Sequence, residues 1–144
     1  MKPEVQKKRV LFICTHNSAR SQMAEGFLNT LHQDRYVAFS AGTEPSMVNP
    51  LAIQVMEEVG IDISSHRSKN VKDFLSVELD LVVTVCDQAR QTCPFFPGGK
   101  EIIHKGFEDP AALSGSKEQK LALFRRVRDE IRTWIEEVFG EGAD

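Results

Sequence analysis

Apolar residues along this chain fall into two alternating kinds of segment. Val10-Leu11-Phe12-Ile13, Tyr36-Val37-Ala38-Phe39-Ser40 and Leu79 to Val85 are short and rich in β-branched or aromatic residues. Runs of this kind suit strands buried on both faces of a parallel sheet. Glu101-Ile102-Ile103-His104 reads as a fourth strand. Between the runs the apolar spacing changes to that of helices. Met23, Ala24, Phe27, Leu28 and Leu31 share one face. Leu51, Ile53, Val55, Met56 and Val59 predict a helix that stops at Gly60, a residue suited to a left-handed cap. Val71 to Leu75 predicts a short helix. The clearest helix runs from Lys117 to Phe139, where Leu121, Phe124, Val127, Ile131, Ile135 and Val138 recur at helical spacing. Gly140 is its stop, and residues 141–144 read as a frayed tail. Strands alternating with helices predict an α/β fold, an open and mainly parallel sheet covered on both faces. No repeat or linker interrupts it, so one domain is expected over residues 1–144.

Composition and charge narrow the field. The chain has 144 residues, 41% hydrophobic and 27% charged, which is ordinary for one globular domain with a real core. A net charge of −3 argues against a general binder of nucleic acid or of anionic membrane, yet leaves room for a local basic pocket. No apolar run is long enough to cross a bilayer. Val10 to Cys14 is too short for a signal-peptide core, so a cytoplasmic protein is expected. The three cysteines, Cys14, Cys86 and Cys93, are an odd number and too few for a disulfide scaffold. In a reducing compartment they serve either packing or chemistry.

Ligands of open parallel sheets bind beyond the carboxyl ends of the strands. Three segments fall there: the loop after the first strand, the loop after Val85, and the stretch after His104. The first reads Cys14-Thr15-His16-Asn17-Ser18-Ala19-Arg20-Ser21. A loop wrapped at a helix N-terminus turns backbone N–H groups inward, and the helix dipole adds positive potential. Residues Thr15 to Ser21 thus form a nest for a tetrahedral oxyanion. Arg20 is placed to fork two N–H donors onto it. Cys14 stands at the base of this field, which favours a nucleophilic thiolate. Asn17 tolerates positive φ and braces the loop. Ser21 either caps the helix or donates to the sulfur. His16 is read as a residue of the rim. The other histidines, His32, His66 and His104, lack zinc-ligand spacing, and no metal site is expected.

Val10 to Glu25 resembles the signature of the low-molecular-weight protein tyrosine phosphatases and of the thioredoxin-coupled arsenate reductases built on the same fold. The resemblance continues through Ser40-Ala41-Gly42-Thr43, Gly60-Ile61-Asp62-Ile63-Ser64, the Val85-Cys86 strand end and Glu108-Asp109-Pro110. It implies a four-stranded parallel sheet flanked by helices on both faces. It also implies that Asp109 is the general acid that protonates a leaving oxygen. The plain alternative is that Asp109 merely starts a turn before Pro110.

The two remaining cysteines separate the two kinds of relative. Reduction of arsenic(V) to arsenic(III) takes two electrons, and two thiols supply them by becoming a disulfide. A phosphatase has no such need. The resemblance implies that Cys14 attacks arsenate, that Cys86 attacks Cys14 and releases arsenite, and that Cys93 attacks Cys86. The resulting Cys86–Cys93 disulfide is then reduced by thioredoxin. Residues 87–92, if helical at first, must change shape for the two sulfurs to meet. No tightly bound cofactor is expected. Asn17, Glu25 and Ser40 match a potassium site of some relatives, but Lys69 stands where an acidic ligand belongs, so that site is doubtful. Ala19 replaces a cysteine found in many relatives and is outside the relay. Ala111-Ala112 stand where phosphatases often carry tyrosines. A monomer is expected. The competing readings are a low-molecular-weight phosphatase and, well behind it, a redox-responsive anion-binding module.

Overall fold

A computed structural model describes residues 7–86 and 96–140. Its elements are β1 (Lys8–Cys14), α1 (Arg20–Leu31), β2 (Tyr36–Gly42), α2 (Pro50–Glu57), a 3-10 turn (Val71–Phe74), β3 (Leu81–Thr84), β4 (Ile102–His104), a second 3-10 turn (Pro110–Ala112) and α3 (Lys117–Phe139). The four strands form one sheet in the order β2-β1-β3-β4, with every pairing parallel. β1 is central, and Val10 to Cys14 are buried without interruption. That explains why its sequence does not alternate.

Chain order reverses beside β1. The chain leaves β1 for β2 on one side, then returns to place β3 on the other. The crossover loops therefore diverge beyond Cys14 and open a crevice there. Side-chain alternation sends Phe12 to the face covered by α3, where it meets Trp134 and Phe139 edge-on, with centroids 6.5 and 6.3 Å away. α1 and α2 pack against α3. The opposite face carries Phe39, which rests on Phe74 of the first 3-10 turn at 5.7 Å.

Three boundaries differ from the periodic reading. β3 begins at Leu81, because the Asp80 carboxylate accepts the Arg9 N–H at 2.8 Å and the Asp80 N–H bonds the Arg9 carbonyl. α2 ends at Glu57, and the chain turns through Gly60 at φ 81°, the left-handed cap that its sequence suggests. Gly140 does end α3, but in an extended conformation, with φ −65° and ψ 166°. At the other end of α3, Ser116 and Gln119 form a reciprocal capping box. Among the described residues, no helix is long and apolar enough to cross a membrane.

Candidate active site

The loop between β1 and α1 is built from within. Asn17 takes φ 49°, the left-handed region that the short Asn side chain tolerates, and this turns the chain back toward α1. α1 starts at Arg20 with no side-chain cap and no acidic residue in its first turn. Its N-terminal amides and dipole thus face the loop without competition. Ser21 is not the cap; its Oγ lies 2.8 Å from Cys14 Sγ. Asn17 Nδ2 donates to the same hydroxyl at 2.8 Å, which leaves the Ser21 proton for the sulfur. This geometry suits a thiolate.

Asn17 Oδ1 in turn accepts from Gln22 Nε2 at 2.9 Å and from the Lys69 N–H at 2.8 Å. Gln22 Nε2 also reaches the carbonyl of Arg67 at 2.9 Å, and its Oε1 lies 3.0 Å from His66 Nδ1. Asn17, Ser21 and Gln22 are completely buried, so this network is a fixed brace under the anion loop. Gly42 supplies the space above it. A Cβ there would lie 2.6 Å from the Thr15 carbonyl and 2.8 Å from the Asn17 nitrogen. The sequence reading missed Gln22 and His66 as parts of the brace, and gave Gly42 no role beyond the resemblance.

Cys86 follows directly after the strand end that pairs with β1, where the Val85 N–H bonds the Ile13 carbonyl. Its Sγ lies 3.4 Å from Thr15 Oγ1, so the second cysteine sits against the anion loop. Cys14 and Cys86 are both buried. A pocket of about 710 Å³ opens at this place, lined by Thr15, Arg20, Cys86, His104, Gly106, Phe107, Glu108 and Asp109. Arg20 crosses it, donating through Nη1 to the Phe107 carbonyl at 3.2 Å, with Nη2 3.7 Å from the Asp109 carboxylate. Phe107 packs edge-on against Trp134 with centroids 6.1 Å apart.

Asp109 starts the turn at Pro110 and also lines the pocket. Its Oδ1 caps the Pro110–Ala112 turn by accepting the Ala111 N–H at 3.0 Å, while its other oxygen faces Arg20 in the pocket. Glu108, also at the pocket, pairs with Arg126 of α3. His16 is exposed on the rim, its Nδ1 2.9 Å from the Glu44 carbonyl. Ser18 and Ala19 complete the loop. Cys93 and the segment 87–92 lie outside the described residues.

The residues matched to a cation site cluster beside the brace. Glu25 Oε1 accepts from Ser40 Oγ at 2.6 Å, and Lys69 Nζ lies 3.6 Å from the same oxygen. His66 Nδ1 lies 3.4 Å from Glu25 Oε2. Among the described residues, no cluster of three or more His, Cys, Asp or Glu is placed to hold a metal ion.

A parallel four-stranded sheet with a Cys-(X)5-Arg oxyanion loop at its switch point defines a class, and comparison with known proteins agrees with it. The profile of the family described as low molecular weight phosphotyrosine protein phosphatase matches residues 9–141. The chain belongs to that family. Within it, the chain is 49% identical over 127 residues to a protein of Halalkalibacterium halodurans named arsenate reductase, covering 88% of this chain and 91% of that one. It is 47% identical over 132 residues to "Arsenate reductase 1" of Staphylococcus epidermidis, covering 92% and 96%. A solved structure described as an arsenate reductase in the phosphate binding state superposes with a TM-score of 0.80 at 36% identity, covering 93% of this chain and 98% of that one.

Proposed function

We propose that this protein is an arsenate reductase that works by a three-cysteine relay regenerated by thioredoxin. One observation carries the reading beyond the shared oxyanion loop: a second buried thiol, Cys86, stands beside that loop with its sulfur 3.4 Å from Thr15 Oγ1. Hydrolysis has no use for it.

The loop amides and Arg20 hold arsenate. The Cys14 thiolate attacks arsenic, and an oxygen leaves as water with a proton from Asp109. Cys86 then attacks Cys14 Sγ. The S–S bond forms, the S–As bond breaks, and its electron pair stays on arsenic, which departs as arsenite. Two thiols have been oxidised and arsenic has gained two electrons. Cys93 attacks Cys86, Cys14 leaves as a thiolate, and the Cys86–Cys93 disulfide passes to the thioredoxin dithiol.

In this reading the Lys69 ammonium, 3.6 Å from Glu25 Oε1, supplies the positive charge that a potassium ion supplies in some relatives. The protein acts as a cytoplasmic monomer.

A phosphatase reading has support in the loop, Arg20 and Asp109, which serve phosphoester hydrolysis equally well. Arsenate, thioredoxin, thioredoxin reductase and NADPH decide between them. Sustained NADPH oxidation is expected from the wild type, and none beyond the first turnover from Cys86→Ser or Cys93→Ser. Aryl phosphatase turnover with no arsenate-dependent NADPH oxidation would replace the reductase with the hydrolase.

A further inference from the structure

A trans peptide points its carbonyl and its N–H in opposite directions. For the anion loop to turn its amides inward, each carbonyl needs a donor on the outside. The Thr15 carbonyl takes the Glu44 N–H at 2.7 Å, and the Ser18 carbonyl takes the Asn49 N–H at 2.9 Å. The Asn17 carbonyl takes Gln22 Nε2 at 3.2 Å, and the Ala19 carbonyl takes the Met23 N–H at 2.8 Å. The His16 carbonyl takes two donors, the Ser46 N–H at 3.1 Å and the Ser68 hydroxyl at 2.7 Å. Residues 44–49 thus run along the outside of the loop, and Ser68 joins the two layers. Its Oγ accepts the Ser46 N–H at 2.9 Å, so its own proton goes to His16. Both neighbours of Ser68 are tied down. The Arg67 carbonyl accepts from Gln22, the Lys69 N–H donates to Asn17 Oδ1, and the Lys69 carbonyl accepts the Gly42 N–H at 2.8 Å.

We infer that Ser68 is a positioning residue for the oxyanion: its hydroxyl holds the His16–Asn17 peptide so that the Asn17 N–H turns into the nest. This rests on the oxyanion loop of the reading above. His16 and Asn17 share one peptide, so the donor that fixes the His16 carbonyl also fixes the direction of the Asn17 N–H. Asn17 stands at φ 49°, a conformation that its surroundings must hold, and this peptide leads into it. Through Ser46 the same hydroxyl keeps the rim segment against the loop. Ser68 touches no reacting atom and acts through the loop. The loop amides hold the anion before and during attack by Cys14, so losing one aligned amide weakens binding and leaves the chemical step alone.

The test is calorimetric titration of the reduced protein with phosphate. Ser68→Ala is expected to weaken binding by about three- to tenfold, the size of one net hydrogen bond. In the coupled assay it raises KM for arsenate by the same factor and leaves kcat as it was. Ser68→Thr keeps the hydroxyl and restores both. Ser65→Ala, at an exposed serine three residues earlier, is the control and binds phosphate as wild type does. Unchanged phosphate affinity in Ser68→Ala overturns the inference even if the variant melts earlier, since an earlier melt alone marks a purely structural role. Equal weakening in Ser65→Ala overturns it too, as does a Ser68→Thr protein that binds no better than Ser68→Ala. Should Ser68→Ala fail to fold, Ser68→Cys, with a weaker donor of similar size, takes its place and must bind phosphate less tightly than wild type. The reductase reading is scored separately. If phosphate affinity follows the Ser68 hydroxyl but arsenate is not reduced, that reading falls and the role of Ser68 stands. If arsenate is reduced and phosphate affinity ignores Ser68, only the role of Ser68 falls. A wild type that takes up no phosphate removes the oxyanion loop and the role of Ser68 together.

Discussion

A hydrogen atom separates Gly42 from any other residue, and the anion loop depends on it. The constraint is space, because the Thr15 carbonyl and the Asn17 nitrogen stand where a Cβ would go, at 2.6 and 2.8 Å. Both are backbone atoms and neither is free to swing aside. Gly42→Ala is expected to lower stability by about 1–3 kcal/mol, as overpacking does. It should also weaken phosphate binding, because the displaced loop carries the amides. Calorimetric titration with phosphate beside a thermal melt checks both, and unchanged phosphate affinity would refute the role given to Gly42. Contacts close in sequence were the legible ones: Cys14, Asn17 and Ser21 were singled out from one loop, and their contacts with one another lie within it. Gln22 could not, because in the sequence it is one more polar position on an amphipathic helix. Its role comes from Arg67 and His66, about 45 residues away. The sequence marked Lys69 as a mismatch at a cation site; in the structure its ammonium faces Glu25, and its N–H, which no sequence pattern reveals, braces Asn17.

α2 and α3 are joined by a charged clamp whose pH response is fixed by its parts. Glu58, just past α2, accepts from Arg125 at 2.7 and 2.9 Å and from Arg128 at 2.8 Å. Arg128 is nearly buried and also donates to the Val55 carbonyl at 2.9 Å. The hydrogen bond from Arg125, then that from Arg128, lowers the Glu58 carboxyl from 4.5 to about 2. A depressed folded value means that the clamp stabilises fully above 4.5 and is lost as pH falls toward 2. Glu58→Gln is therefore expected to melt below wild type at neutral pH, with the two melting temperatures converging as the solution is acidified through this window. Parallel curves down to pH 2 would show that Glu58 is not the titrating group. Elements with strong periodicity, above all α3, were readable because their patterns are local. The start of β3 was not. Leu79 and Asp80 continue the apolar run, but Asp80 is held by the backbone of Arg9, 71 positions earlier in the chain.

Across the whole molecule, alternation of strand and helix gave the parallel sheet, but no periodicity specifies the order β2-β1-β3-β4. That order is what sets the ends of β1 and β3 side by side, and with them Cys14 and Cys86. Helix packing carries the arrangement further. Trp134 of α3 touches Phe107, whose carbonyl holds Arg20. Trp134 is the chain's one tryptophan. One ring thus links the indole to the arginine of the loop. When an oxyanion draws the Arg20 guanidinium off the Phe107 carbonyl, indole emission is expected to change in proportion to occupancy, and Phe107→Leu to mute it. Emission that stays constant while calorimetry shows the site filling would mean that Arg20 never lets go. If it does respond, each early stage of turnover becomes visible in a stopped-flow cell without a dye, a label or a coupling enzyme.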